Sequence, residues 1–136
     1  MNLSVISVQS HTMSLAYRIA RVVYAETCAN SLRVVEALTS MIENCARKNN
    51  RDICDVISDV NIFESLNPDS IRHAEMNIDS NRREFQMCVR IAVRMLHGNL
   101  PDMCHGATMF HRTDLMPDWA IARGYIADID GILFYA

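Results

Sequence analysis

RIARVVYAETCANS, residues 18–31, is the stretch from which the rest of the chain is read. Leu15, Ile19 and Val22 are spaced by four and three, which draws an apolar stripe along one side of a helix, and the next position on that stripe is Glu26. The spacing predicts a helix over residues 14–28 with Ser14 as its N-cap, and it puts an ionisable group where an apolar one belongs. Two readings are open. Either the helix frays at Ala25 and Glu26 points into water, or the carboxylate is held at the mouth of a cleft on an apolar surface. In the second case desolvation disfavours the charged form, which suits a general acid that donates a proton to a leaving-group oxygen near neutrality.

Outward from this stretch, Asn30 and Ser31 break the first helix and Ser31 caps a second. Leu32, Val35, Leu38, Met41 and Ile42 give its stripe as far as about Lys48, and the two helices are expected to pack as a hairpin. Residues 52–66 read as a short helix followed by an irregular stretch. NPDS, residues 67–70, is a turn and cap that starts another short helix. A third long helix is expected over 80–98, capped by Ser80 or Asn81, lined by Phe85, Cys88, Val89, Ala92 and Leu96, and stopped by Gly98. Beyond it, a short alternating piece at Ala107–His111 and the closing GILFYA are expected to pair as a small antiparallel sheet. The fold class is therefore α+β and mostly helical, with three long helices and a small C-terminal sheet. It forms a single domain over residues 1–136, in which residues 1–13 read as a loose N-terminal extension.

A chain of 136 residues can bury a core without staples, and its 50% hydrophobic and 21% charged residues with four Gly and three Pro fit a compact fold. The net charge of −3 lacks the basic excess that a phosphate backbone requires, so nucleic acid is not an expected partner. No segment approaches the roughly 20 apolar residues of a membrane span, and MNLSVISVQSHTMS does not read as a signal peptide. The expected location is cytoplasmic as written, with action on its substrate after release or export through a partner. Five cysteines at 28, 45, 54, 88 and 104, with no Cys-x-x-Cys pair, read as reduced thiols rather than a disulfide framework or a zinc site.

The second informative stretch is GATMFHRTDLMPDWA, residues 106–120, where Thr108, Phe110, His111, Asp114 and Trp119 gather hydroxyl, imidazole, carboxylate and aromatic groups. That mixture suits sugar binding, since aromatic faces stack on pyranose rings while short polar groups take the hydroxyls. The alternative is that Trp119 anchors the core and the polar residues serve turns. His105, His111 and Asp114 match no strong metal-ligand signature, and nothing nominates a histidine partner for Cys28 as a nucleophile.

ARVVYAE at 20–26 with EALTSMIENC at 36–45 resembles the opening of the SleB-like cell-wall hydrolases, which read A-R-x-x-Y-A-E-A-x-G-E and then V-A-x-V-I-x-N-R. GATMFH at 106–111 is similar to the family's G-A-T-H-Y-H, PDWA at 117–120 to its P-x-W-A, and IDGILFYA at 129–136 to its I-G-x-H-x-F-Y ending. Order and spacing are kept over about residues 18–136.

The resemblance implies a lysozyme-like domain that cleaves the glycan strand of peptidoglycan after N-acetylmuramic acid, as a lytic transglycosylase or muramidase, without metal or cofactor. Glu26, at the end of Y-A-E, is then the catalytic acid/base. Tyr24, Asn44, Thr108, Phe110, His111, Trp119 and Tyr135 are its expected substrate-binding companions. One carboxylate suffices for a transglycosylase, because the muramyl 6-hydroxyl replaces the second carboxylate that ordinary glycosidases use. The partner the resemblance implies is the peptidoglycan glycan strand; an export or holin-type protein is expected separately, because the N-terminus does not read as a signal peptide. The chain departs from the family at Ala29 and Asn30, where G-E is usual, at Cys45 for the arginine, and at Met109 and Ile132 for two histidines. These changes bear on substrate affinity and on activity, and they motivate the alternative of a non-catalytic glycan- or protein-binding member of the same fold.

Overall fold

The computed structural model describes residues 3–136, with side chains described from His11 onward. Four α-helices come first, α1 (Leu3–Thr27), α2 (Leu32–Lys48), the single-turn α3 (Ile53–Val56) and α4 (Arg83–Leu96). Three strands follow, β1 (Met109–Arg112), β2 (Ala127–Ile129) and β3 (Ile132–Tyr135). The chain is thus α+β with three long helices and a small C-terminal antiparallel sheet.

Helix α1 begins eleven residues before the expected Ser14 cap. No Gly or Pro lies between Leu3 and Met13 to interrupt the backbone ladder, so Ser14 is an interior helical residue. The extension expected to be loose is helical from Leu3, and residues 1 and 2 lie outside the described residues. At its other end the helix stops after Thr27, whose hydroxyl donates to the Val23 carbonyl at 2.7 Å and accepts from the Ala29 amide at 3.0 Å. Cys28 and Ala29 then take φ values of 54° and 50°. Two successive left-handed residues without glycine turn the chain sharply away from Glu26.

Helix α2 starts as expected at Ser31, whose Oγ accepts the Val34 amide at 3.1 Å. Its C-terminus is closed by the left-handed Asn50, with the Arg51 amide reaching back to the Ala46 carbonyl at 2.9 Å. Gly98 closes α4 in the same way, with φ of 74° and the Asn99 amide on the Arg94 carbonyl at 2.8 Å.

Neither Ser80 nor Asn81 caps α4, which begins at Arg83 behind Arg82. Asp79 and the Ser80 carbonyl are engaged in a turn there, the first with the Asn81 amide and the second with Gln86 Nε2. Similarly, Asn67 and Ser70 fold back on the amides of Asp69 and Arg72, so the 3₁₀ turn that follows starts only at His73 and runs to Asn77.

Helix α1 lies against both α4 and α2, and the core between them is built from Ile19, Val23, Leu38, Met41, Ile42 and Phe85. Phe63 and Phe134 extend this core toward the sheet. β3 is the central strand, flanked by β1 and β2 in the order β1-β3-β2, both antiparallel. Phe110 pairs with Phe134 and Arg112 with Ile132. β2 and β3 are joined by Asp130 and Gly131 at φ 46° and 88°, the double left-handed geometry of a two-residue hairpin. Asp130 also takes a hydrogen bond from the Ser31 hydroxyl, which ties the hairpin to the start of α2. No helix is long and apolar enough to cross a membrane among the described residues.

Candidate active site

Glu26 sits on the last turn of α1 and is only 2% exposed, so the stripe of Ile19, Val22 and Glu26 is buried along its length. Such a carboxylate needs partners, and it has two. Its Oε2 accepts the Ser65 amide at 2.9 Å, and its Oε1 accepts Arg112 Nη1 at 2.5 Å. Ser65 belongs to the 3₁₀ turn Glu64–Leu66 and Arg112 ends β1, so the first helix, the middle loop and the sheet converge on one carboxyl group. Both oxygens act as acceptors, the arrangement of an ionised carboxylate.

Arg112 is as deeply placed, 6% exposed, and serves three acids at once. Its Nη2 donates to Glu64 Oε2, and its Nε lies 3.5 Å from Asp114 Oδ1, an ion pair without hydrogen-bond geometry. Burial by itself works against the guanidinium's charge, but Glu26, Glu64 and Asp114 outweigh it and hold its pKa above the ordinary value. The side-chain hydroxyl of Ser65, buried next to this cluster in the chain, has no hydrogen-bond partner.

Glu26 and Arg112 form the border between two depressions. One, about 300 Å³, is mainly apolar, with Phe110, Trp119, Ile62 and Val60 on its walls and Leu115 and Met116 at its rim. A smaller extension of about 80 Å³ continues it past Phe110 and Trp119 to Thr108 and Met109. The other depression, about 430 Å³, lies toward Thr27, Asn30 and Thr113.

An aromatic frame supports the apolar cleft. His111 and Tyr135 stack at 5.4 Å between centroids, and the Trp119 ring meets Tyr135 edge-on at 5.0 Å. His111 Nδ1 lies 2.8 Å from the Arg112 carbonyl, which only accepts, so this nitrogen carries the hydrogen. Nε2 lies 2.8 Å from the Tyr135 hydroxyl, a group that can donate or accept across that contact. The imidazole is committed on both sides and fixes the plane against which Trp119 stands.

Of the residues expected at the site, Glu26, Thr108, Phe110, His111 and Trp119 line these adjoining depressions. Tyr135 stands behind His111 and Trp119, itself buried. Tyr24 lies outside the linings. It packs on the core, two residues before Glu26 and so more than half a turn away around α1, and desolvation first, then Glu75, raises its phenol's pKa. Asn44 is buried away from the cleft, where its amide donates to Asp102 at 3.3 Å and to the Ala107 carbonyl at 3.1 Å. It anchors α2 to the loop that leads into β1.

Arg112, Glu64 and Ser65 complete the site and were not among the expected residues. His105 and Asp114 do not assemble with His111, and no group of three or more His, Cys, Asp or Glu among the described residues is placed to hold a metal ion.

Residues 25–135 match the family model described as Cell Wall Hydrolase. No curated protein and no solved structure matches the chain. The matched span begins just before Glu26 and ends at Tyr135, taking in the whole charged cluster and its aromatic frame, and the chain belongs to the SleB-like cell wall hydrolase family.

Proposed function

We propose that the chain cleaves the glycan strand of peptidoglycan after N-acetylmuramic acid, with Glu26 as the acid/base. Membership of a cell wall hydrolase family implies peptidoglycan as the substrate. This reading rests on the position of Glu26, a buried carboxylate on the border of an apolar, aromatic-walled cleft. Pyranose rings stack on Phe110 and Trp119, and the bond to be cut lies over Glu26. Glu26 protonates the glycosidic oxygen as the bond from the anomeric carbon breaks. The muramyl 6-hydroxyl then attacks that carbon, closing the 1,6-anhydro ring, and its proton passes to the Glu26 carboxylate. With water in place of the hydroxyl the same residue serves a muramidase.

Arg112 sets the terms of this cycle. While it contacts Glu26 the carboxylate is an acceptor, suited to the second half of the reaction. For the first half the guanidinium must give up Oε1. Glu64 and Asp114, already on its Nη2 and Nε, offer it an alternative pairing within its own reach.

The same clamp favours a second reading, a binding protein that keeps the cleft and does not cut, because Glu26 is neutralised by an arginine buried with it. Digestion of purified peptidoglycan separates the two. Anhydro-muropeptides in the soluble products support transglycosylation, reducing muramic ends support hydrolysis by water, and no products from folded protein support the binder. The route to the wall is part of the proposal: release or export through a partner brings the chain to its substrate.

A further inference from the structure

The polar depression on the far side of Glu26 is not explained by ring stacking. Its walls include Cys28 and Asn30 after α1, Thr113 and Asp114 after β1, and Arg72 just before the 3₁₀ turn His73–Asn77. The charged groups in it differ in how they are engaged. Arg112 is committed to Glu26, Glu64 and Asp114, and Asp130 accepts the Ser31 hydroxyl. Arg72 takes part in none of the ion pairs among the described residues. Its Nη1 donates to Cys28 Sγ at 2.8 Å, a weak acceptor for so strong a donor. A half-buried guanidinium that meets only a thiol retains a planar fork of donors matched to a carboxylate.

Resting on the glycan-cleaving reading above, we propose that this depression receives the acidic arm of the muramyl residue, with Arg72 pairing with a carboxylate on that arm. The two sugars of the strand differ in charge at this point. N-acetylglucosamine is neutral, whereas the muramyl residue carries a lactyl ether that ends in its own carboxylate or continues into a peptide bearing others. Glu26 borders both depressions, so a muramyl residue at Glu26 has its ring on the apolar side and an anion-binding group on the other. A neutral sugar in the same place leaves Arg72 unpaired. Arg72 thereby selects which of the two alternating linkages lies over Glu26.

Equilibrium binding tests this without bond cleavage, using disaccharides that end in the muramyl residue and so contain no bond after it. Three probes are titrated by NMR: neutral di-N-acetylchitobiose, the muramyl disaccharide with a free lactyl carboxylate, and the same disaccharide bearing a peptide stem. Wild type is expected to bind at least one acidic probe about tenfold more tightly than the neutral one, the scale of one charge-assisted hydrogen-bonded contact. Arg72→Gln is expected to lose most of that preference and Arg72→Lys to keep part of it, with thermal unfolding confirming that both variants are folded. The acidic probe that shows the effect identifies the source of the carboxylate. No preference in wild type, or the same preference in Arg72→Gln, overturns the proposal. A chain that shows the preference yet releases no products from peptidoglycan refutes the catalytic reading and leaves this one standing.

Discussion

Replacing Arg112 by methionine isolates the interaction on which the site is built. The substitution keeps much of the side chain's length and apolar stem but removes the positive charge from Glu26, which is 2% exposed and retains only the Ser65 amide as a partner. Removing one member of a buried ion pair leaves an uncompensated charge and costs about 3–5 kcal/mol. Glu64 contributes less to the loss, because its side chain is 41% exposed and water takes over its solvation. For 136 residues the unfolding entropy near the midpoint is about 0.29 kcal/mol/K, so the expected fall in Tm is about 10–17 °C. Urea unfolding at pH 7, followed by far-UV circular dichroism, gives the free energy directly. The decisive comparison is the double variant Arg112→Met with Glu26→Gln. With the buried charge gone as well, it is expected to be more stable than Arg112→Met alone by about 1–3 kcal/mol. An Arg112→Met protein within about 0.5 kcal/mol of wild type, or a double variant whose losses simply add, would refute the claim that these groups form one coupled pair.

Two further outcomes follow from particular residues. Ala29 occupies the left-handed conformation where the family pattern has glycine, so Ala29→Gly relieves about 1–2 kcal/mol of backbone penalty against about 0.5–1 of added unfolded-state freedom. A net gain of about 0.5–1 kcal/mol in urea unfolding is expected, and a loss of stability would contradict it. Burial pushes the Cys88 thiol up to about 12, and burial with Asp102 beside it pushes Cys104 to the same level. Both are therefore neutral in the folded protein at pH 8, and at most Cys28 and Cys54, the partly exposed thiols, react with a thiol reagent before unfolding. Because these folded-state values lie above the unfolded value of about 8.5, the stability the two thiols lend is whole below that pH and declines as pH rises from there toward about 12. Rapid labelling of all five cysteines in native protein at pH 8 would overturn this account.

Much of the fold was readable because its signals are local. The stripes of α2 and α4, the Ser31 cap and the Gly98 stop each depend on residues within one or two turns of one another. Glu26 was legible for the same reason, as a carboxylate in register with Ile19 and Val22. The start of α1 was not, since helix-compatible residues continue upstream of a serine that looks like a cap. β2 is only three residues long, too short to show alternation, although the Asp130-Gly131 pair that joins it to β3 is a hairpin signal in its own right.

Arg112 marks where local reading stops. In sequence it falls one residue past the expected strand Ala107–His111, and its principal partner is 86 positions away on the first helix. Only the tertiary fold makes a buried arginine between three carboxylates. Tyr24 shows the converse, since its place in a motif beside Glu26 says nothing of direction, and the turn of the helix carries it to another face. Asn44, expected near substrate, is used to hold α2 to the loop before β1.

The most direct test of the account is the rate at which wild type and Glu26→Gln release soluble muropeptides from purified peptidoglycan, with products identified by mass spectrometry and both proteins shown to be folded. Wild type is expected to release anhydro- or reducing-end muropeptides, and Glu26→Gln to lose about 10²–10⁴-fold in rate, the range of a general acid/base. Release by Glu26→Gln at the wild-type rate, or no release by wild type, would contradict the proposed function.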